Sequence, residues 1–451
     1  MAIKQTGDIA AQRLSPEQLA CEFSDIAPLL DASAAAAAAS RCHYCYDAPC
    51  VNACPTRIDI PSFIRKIGNG NLKGAAVDIL SANPMGGMCA RVCPTEILCE
   101  GACVRNHQDA KPVAIGALQR HATDWAMARG EVLFKRAAET GRHVAVVGAG
   151  PAGLACAHRL ALAGHRVTLF DARAKAGGLN EYGIAAYKTV DDFAQREVAW
   201  LCSVGGIEIE YGVALGRDVT LDTLRKNHDA VFLAIGLTGV RALAMEGEDL
   251  SGVMNAVDFI EQVRGASDLG TVPVGRRVVV IGGGNTAVDA AVQSRKLGAT
   301  AVTMAYRRGV EAMSATWAER EFAQTNGVTL VTHARPVRLI GEGGVVTGVE
   351  FERTADEGNQ AQERFVVEAD MVLKAIGQTL VAVGIERELL TLDGSRIAVD
   401  ANGQTSLAGV WAGGDCAATG GVDLTVQAVQ DGKLAAAAID AQFARMAIKA
   451  A

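Results

Sequence analysis

Arg142-His-Val-Ala-Val-Val147 runs straight into Gly148-Ala-Gly-Pro-Ala-Gly153, then into a helical pattern over Leu154 to Ala163, then into Arg166-Val-Thr-Leu-Phe170 and Asp171. A β-type run, a tight glycine turn, a helix and a second β-type run make a βαβ unit, the opening of a dinucleotide-binding fold. Gly148 permits the turn, Gly150 lets backbone approach a pyrophosphate, and Gly153 lets helix and strand pack closely. Pro151 and Ala152 start the helix, whose N-terminus favours phosphate. Asp171, at the end of the second strand, is placed to accept from a ribose hydroxyl.

The same grammar returns at Arg277. Val278-Val-Val-Ile281 is a strand, Gly282-Gly-Gly-Asn-Thr-Ala287 a GxGxxA turn, Ala287 to Lys296 a helix, and Ala301 to Tyr306 the next strand. Gly282, Gly284, Asn285, Thr286 and Ala287 are the candidate cofactor contacts. Arg307 and Arg308 follow, where an acid usually marks NAD; arginine there suits a 2′-phosphate, or stacks on adenine or touches a pyrophosphate. Late in the chain Gly409-Val-Trp-Ala-Gly-Gly-Asp415 reads as a strand ending in Gly-Gly-Asp, with a helical pattern over Thr425 to Ala437. That arrangement assigns FAD to the first loop, with Gly414, Asp415 and Thr425 around the flavin. It leaves the nicotinamide cofactor for the second loop. The first fold thus encloses the second: 136–242 and 379–451 form the FAD domain, and 243–378 is an inserted NAD(P)H domain.

Residues 1–135 differ. Helical patterns over Pro16 to Leu30, Pro61 to Leu80 and Val113 to Arg129 surround a crowd of cysteines, eight of the chain's 12 lying between Cys42 and Cys103. Such crowding points to metal or cluster ligation. The blocks are Cys42-x2-Cys45-x4-Cys50-x3-Cys54-Pro55 and Cys89-x3-Cys93-Pro94-x4-Cys99-x3-Cys103, and Cys-Pro closing a compact run is ferredoxin-like. Two closed four-cysteine zinc sites are the alternative. The fold class is therefore α/β: a helical N-terminal iron–sulfur domain followed by two nested Rossmann-like dinucleotide-binding domains.

Half of the residues are hydrophobic, 5% are aromatic, 49 are glycine, and the formal charge is −7. A chain with no basic excess and few aromatics is a poor nucleic-acid binder. No leader pattern or bilayer-length apolar run is visible, so a cytoplasmic, membrane-free protein is expected.

The cysteine blocks, Asn83-Pro84, both glycine loops and Gly413-Gly-Asp415 recur in the order of the glutamate synthase small-subunit superfamily, which includes the amino-terminal half of dihydropyrimidine dehydrogenase. The stretch from Cys42 to Arg105 most resembles the electron-input flavoprotein subunit of bacterial NAD-dependent dihydropyrimidine dehydrogenase. The resemblance implies two [4Fe-4S] clusters, one on Cys42, Cys45, Cys50 and Cys103, the other on Cys54, Cys93, Cys99 and Gln119. Spacing alone would favour Cys89 over Gln119. The resemblance also implies Gly177-Gly178-Leu179 and Lys188 near the flavin, and Ala375-Ile376-Gly377 near the nicotinamide. Relatives that use NADP carry a further basic residue where this chain reads Glu311-Ala-Met-Ser314, so NADH is expected, with NADP(H) open. It further implies an FMN-containing, iron–sulfur catalytic partner with a site for uracil or thymine. The alternatives are an NADPH-dependent glutamate synthase small subunit and a zinc-stabilised nucleotide-binding module without turnover.

Overall fold

A computed structural model describes residues 8–354, 363–381, 384 and 390–450. The chain divides into two compact units. One comprises Ala27–Glu181, Asp191–Gly239 and Thr379–Ala451; the other comprises the residues up to Ile26, Tyr182–Val190 and Val240–Gln378.

The first unit begins with helices α1 (Ala32–Ser40), α2 (Pro49–Ala53), α3 (Ile60–Gly68), α4 (Leu72–Ala82), α5 (Gly86–Val92) and α6 (Ile115–Ala128). The alanine run is a helix of its own, started by Asp31, whose carboxylate accepts from Ala34 N at 2.7 Å. The single helix expected over 61–80 is two. Gly70 takes φ 74°, and the Asn71 side chain caps α4 by accepting from Gly74 N at 2.9 Å. Turn residues in mid-pattern ended one helix and started the next. Phe63, Ile64, Ile79, Leu80 and Leu118 form the buried centre of this region.

The dinucleotide fold follows, with β1 (His143–Val147), α7 (Pro151–Leu162), β2 (Arg166–Asp171), α8 (Phe193–Cys202), β3 (Ile207–Tyr211) and β4 (Ala230–Leu233). Four of the five residues of β1 and all four of β4 are buried, as strands covered on both faces must be.

The second unit holds β5 (Val253–Asn255), β6 (Arg277–Ile281), α9 (Asn285–Lys296), β7 (Ala301–Ala305), α10 (Trp317–Thr325) and β8 (Val328–Val331). Then come an antiparallel sheet of β9 (Ala334–Glu342), β10 (Val345–Arg353) and β11 (Arg364–Glu368), and β12 (Met371–Lys374). Its parallel sheet has the order β8-β7-β6-β12-β5. Residues before Ile26, read from the sequence with the helical region, belong to this unit: Ile9–Ala10 pairs antiparallel with Val274–Gly275.

The chain then returns to the first unit with β13 (Val410–Ala412) and α11 (Thr425–Ala450). β13 pairs with β4 and completes a five-stranded parallel sheet in the order β13-β4-β1-β2-β3. Among the described residues no helix is long and apolar enough to cross a membrane.

Candidate functional site

In the first unit three turns converge. Gly148 has φ 103°, and a Cβ on it would lie 2.2 Å from Ala234 O, just past β4, so only glycine fits. Gly178 lies against Gly150: a Cβ on Gly178 would sit 2.8 Å from Gly150 Cα. Gly414 lies against Ala152 in the same way, 3.0 Å from its Cβ. The Gly148–Gly153 loop, Gly177-Gly178 and Gly413-Gly-Asp415 therefore line one side-chain-free cradle. Pro151 opens α7 at its first turn, and Leu179 at the rim is 40% exposed.

Asp171 is buried: its Oδ2 accepts from Ala149 N of the loop at 2.7 Å, and its Oδ1 from Arg173 N, in the turn after β2, at 2.8 Å. Burial pushes this carboxyl up, while the backbone donors oppose the shift. Asp415 is pushed up to about 6, by burial first and then by Asp423, against Arg396. Thr425, at the start of α11, donates its Oγ1 hydrogen to Asn180 Oδ1 at 2.9 Å. Asn180 is fully buried, and its Nδ2 has no protein partner. Sequence reasoning missed Asn180, although it follows Gly178-Leu179 directly. It also missed Asp431, which holds the Gly-Gly-Asp turn by accepting from Gly414 N at 3.1 Å. A glycine cradle with an orphaned amide donor fits a dinucleotide with a polar ring, as FAD is.

The cysteines fall into two groups. Cys42, Cys45, Cys50 and Cys103 line one pocket, walled by Ile60, Ile64 and Ile115. Burial pushes the Cys50 thiol up to about 12, with Cys42 and Cys103 adding to it. Cys54, Cys93 and Cys99 form the second group, and Cys89 stands among them. Cys93 is raised first by its hydrogen bond to Cys89, then by burial and by the other thiols. Crowded thiolates repel one another and need bound cations to offset them. No three His, Cys, Asp or Glu side chains among the described residues converge as on a single ion. Gln119 is buried on α6, and its Nε2 donates to Gly86 O at 2.7 Å, which leaves Oε1 as the lone-pair end. A cavity ringed by four soft donors fits a cluster with several irons.

The second unit repeats the glycine turn. A Cβ on Gly282 would lie 2.3 Å from Ala375 O, so Ala375-Ile376-Gly377 flanks this loop as Ala234 flanks the first. Gly284 caps α9, and Asn285, Thr286 and Ala287 form its first turn; Asn285 Oδ1 is buried without a partner. The loop before α10 packs here too, Ala315 N donating to Gly283 O at 2.9 Å. Arg307 and Arg308 are exposed, and Arg308 donates to Tyr306 Oη at 2.6 Å. Lys188 belongs to this unit. Its Nζ lies 2.8 Å from Asp289 Oδ1 on α9 and 2.6 Å from Glu319 Oε1 on α10. Burial pulls its pKa down, but the two carboxylates more than offset this and leave it raised.

Two family profiles match the chain. Residues 142–432 match one described as pyridine nucleotide-disulphide oxidoreductase. The chain belongs to that family. Residues 19–131 match dihydropyrimidine dehydrogenase domain II, 4Fe-4S cluster. Among curated relatives, the NAD-dependent dihydropyrimidine dehydrogenase subunit PreT of Salmonella typhimurium is 33% identical over 89% of this chain and 92% of its own length. The small chain of NADPH glutamate synthase from Escherichia coli is 34% identical over 92% of this chain and 93% of its own. Solved structures share the fold. Thioredoxin reductase of T. acidophilum has a TM-score of 0.53 at 22% identity, over 67% of this chain and 99% of that one. FprA of Mycobacterium tuberculosis in complex with NADPH has 0.55 at 20% identity, over 68% and 86%. The protein is an electron-transfer flavin and iron–sulfur oxidoreductase that draws on NAD(P)H.

Proposed function

We propose that the chain is the electron-input subunit of a dihydropyrimidine dehydrogenase, taking hydride from NADH and delivering single electrons to a partner. The observation that carries this reading is the cavity lined by Cys42, Cys45, Cys50 and Cys103, in the unit that also holds the first glycine cradle. Thiols bordering a cavity, instead of converging on a point, favour a four-iron cluster over zinc. Cys54, Cys93, Cys99 and Gln119 are the ligands of a second. When bound, FAD takes two electrons as hydride and the clusters carry one each, which joins a two-electron donor to one-electron carriers.

The chain's own part is positioning. The Gly148–Gly153 turn and the N-terminus of α7 hold the pyrophosphate, with Asp171 fixing the loop. Gly178, Leu179, Asp415, Thr425 and Asn180 surround the flavin end. Gly282 to Ala287 and Ala375 to Gly377 hold the nicotinamide dinucleotide. Glu311 supports NADH over NADPH, since its carboxylate lies against Gly309, beside the arginines that would have to hold a 2′-phosphate. Between 142 and 432 the cysteines Cys156, Cys202 and Cys416 are isolated, with no adjacent pair to act as a disulfide outlet. The partner is an FMN-containing, iron–sulfur subunit that reduces uracil or thymine.

Anaerobic purification with iron, sulfide and flavin analysis, followed by NADH or NADPH, tests this. Roughly eight irons and one FAD per chain, bleaching by NADH, and uracil reduction only after the partner is added are expected. A preference for NADPH with no pyrimidine turnover would replace this reading with the glutamate synthase one, which the 34% identical glutamate synthase relative favours. A colourless, zinc-loaded chain would remove both.

A further inference from the structure

Helix α11 touches two sites with two successive residues. Gly432 lies on the flavin side: a Cβ there would meet Ala152 O at 2.1 Å, so the helix backbone rests directly on the first turn of α7. Lys433, one residue on, projects towards the cysteine turn. Its Nζ donates to Gln430 Oε1 at 2.9 Å and to Thr56 O at 3.4 Å. Thr56 is 3% exposed, and its Oγ1 lies 3.3 Å from Cys54 Sγ, a donor to that sulfur once the thiol is a ligand. Arg159, from α7, is a second cation in the same neighbourhood, and its guanidinium donates to Ser81 O.

Among the described residues Lys433 has no carboxylate partner. A partly buried ammonium without a counter-ion is unfavourable unless a negative group faces it. A four-iron cluster on thiolates is such a group, and it becomes more negative when reduced. A cation and a hydroxyl donor at the ligating sulfur both stabilise the reduced form.

We propose that Lys433 and Thr56 are positioning residues that raise the reduction potential of the cluster held through Cys54, at the point where α11 joins the flavin loop to that site. The inference rests on the second cluster site named above. It adds what the cysteine spacing does not contain: a long-range contact between the C-terminal helix and the Cys-Pro turn, tuning one cluster and leaving the other alone.

The test uses the full chain, purified anaerobically as wild type, Lys433→Met, Lys433→Arg, Thr56→Val and Cys54→Ser. Each is analysed for iron, sulfide and flavin and then titrated electrochemically with paramagnetic resonance detection. In Lys433→Met and in Thr56→Val one of the two cluster signals is expected to move to lower potential while the other holds. Lys433→Arg, which keeps the charge, is expected to stay near wild type. Fully loaded Met and Val variants titrating at wild-type potentials would overturn the inference, as would an Arg variant shifted as far as the Met variant. Iron content unchanged by Cys54→Ser would instead remove the cluster site itself, and the inference with it.

Discussion

Glu197 on α8 shows what one buried carboxyl does to this molecule. It is 0% exposed; its Oε1 accepts from Met88 N at 2.9 Å, and its Oε2 has no partner. Burial dominates, with the backbone donors and Arg91 opposing it, and the carboxyl is pushed up from an ordinary 4.5 to about 8. The folded state therefore keeps the proton that the unfolded chain releases near 4.5. The contribution to stability is complete below that pH and is lost as pH rises through 8. Wild type is expected to melt at progressively lower temperature from pH 5 to 8.5, while Glu197→Gln, a fixed neutral mimic, loses less. The gap at pH 8.5 should be on the order of a few kcal/mol, and parallel melting curves for the two proteins would assign the pH dependence elsewhere. Residues of this kind are the least legible in a sequence. Glu197 stands on the buried face of α8 with Phe193, Ala194, Val198 and Leu201, where an apolar pattern predicts no acid, and its partner Met88 comes from α5, far away in the chain. Gln119 is similar: a glutamine on a helix carries no spacing signal, and only resemblance singled it out. The cysteines, by contrast, declared themselves by crowding.

Elements were legible where the signal is local. Both glycine loops lie within a few residues of the strand and helix they join, so spacing alone placed β1, α7, β6 and α9. The steric reason for Gly148 appears only in the folded chain, where Ala234 O occupies the space of its side chain. Gly148→Val must push β4 away from β1 or distort the turn, and it is expected to leave less than a tenth of the wild-type flavin per chain after purification. Full flavin occupancy in that variant would move the FAD site away from this loop. The region 61–80 read as one helix because its apolar pattern nearly continues across Asn69-Gly70-Asn71. A left-handed glycine and an asparagine cap outweighed periodicity there.

At the scale of the whole molecule the proposed division of labour between the two glycine loops predicts that a substitution in the second separates them. Gly282→Val collides with Ala375 O. It is expected to keep FAD and its reduction by dithionite while losing reduction by NADH; rapid bleaching by NADH would show that the second loop is not the nicotinamide site. The nesting of one fold in the other was legible, because a returning strand with Gly-Gly-Asp leaves a mark. The placement of the residues before Ile26 was not, since Ile9–Ala10 finds its partner only at Val274–Gly275. Nesting also fixes an order of events as the chain leaves the ribosome. β4 is synthesised before the whole inserted unit, yet its neighbour β13 emerges only after it. The inserted unit can therefore collapse first, while the enclosing sheet waits with an open edge that any other strand could occupy. A nascent chain stalled just past Gln378 would hold a finished inserted unit and an unfinished enclosing one. Its apolar β4 would then be exposed to chaperones, or to the β4 of another stalled copy.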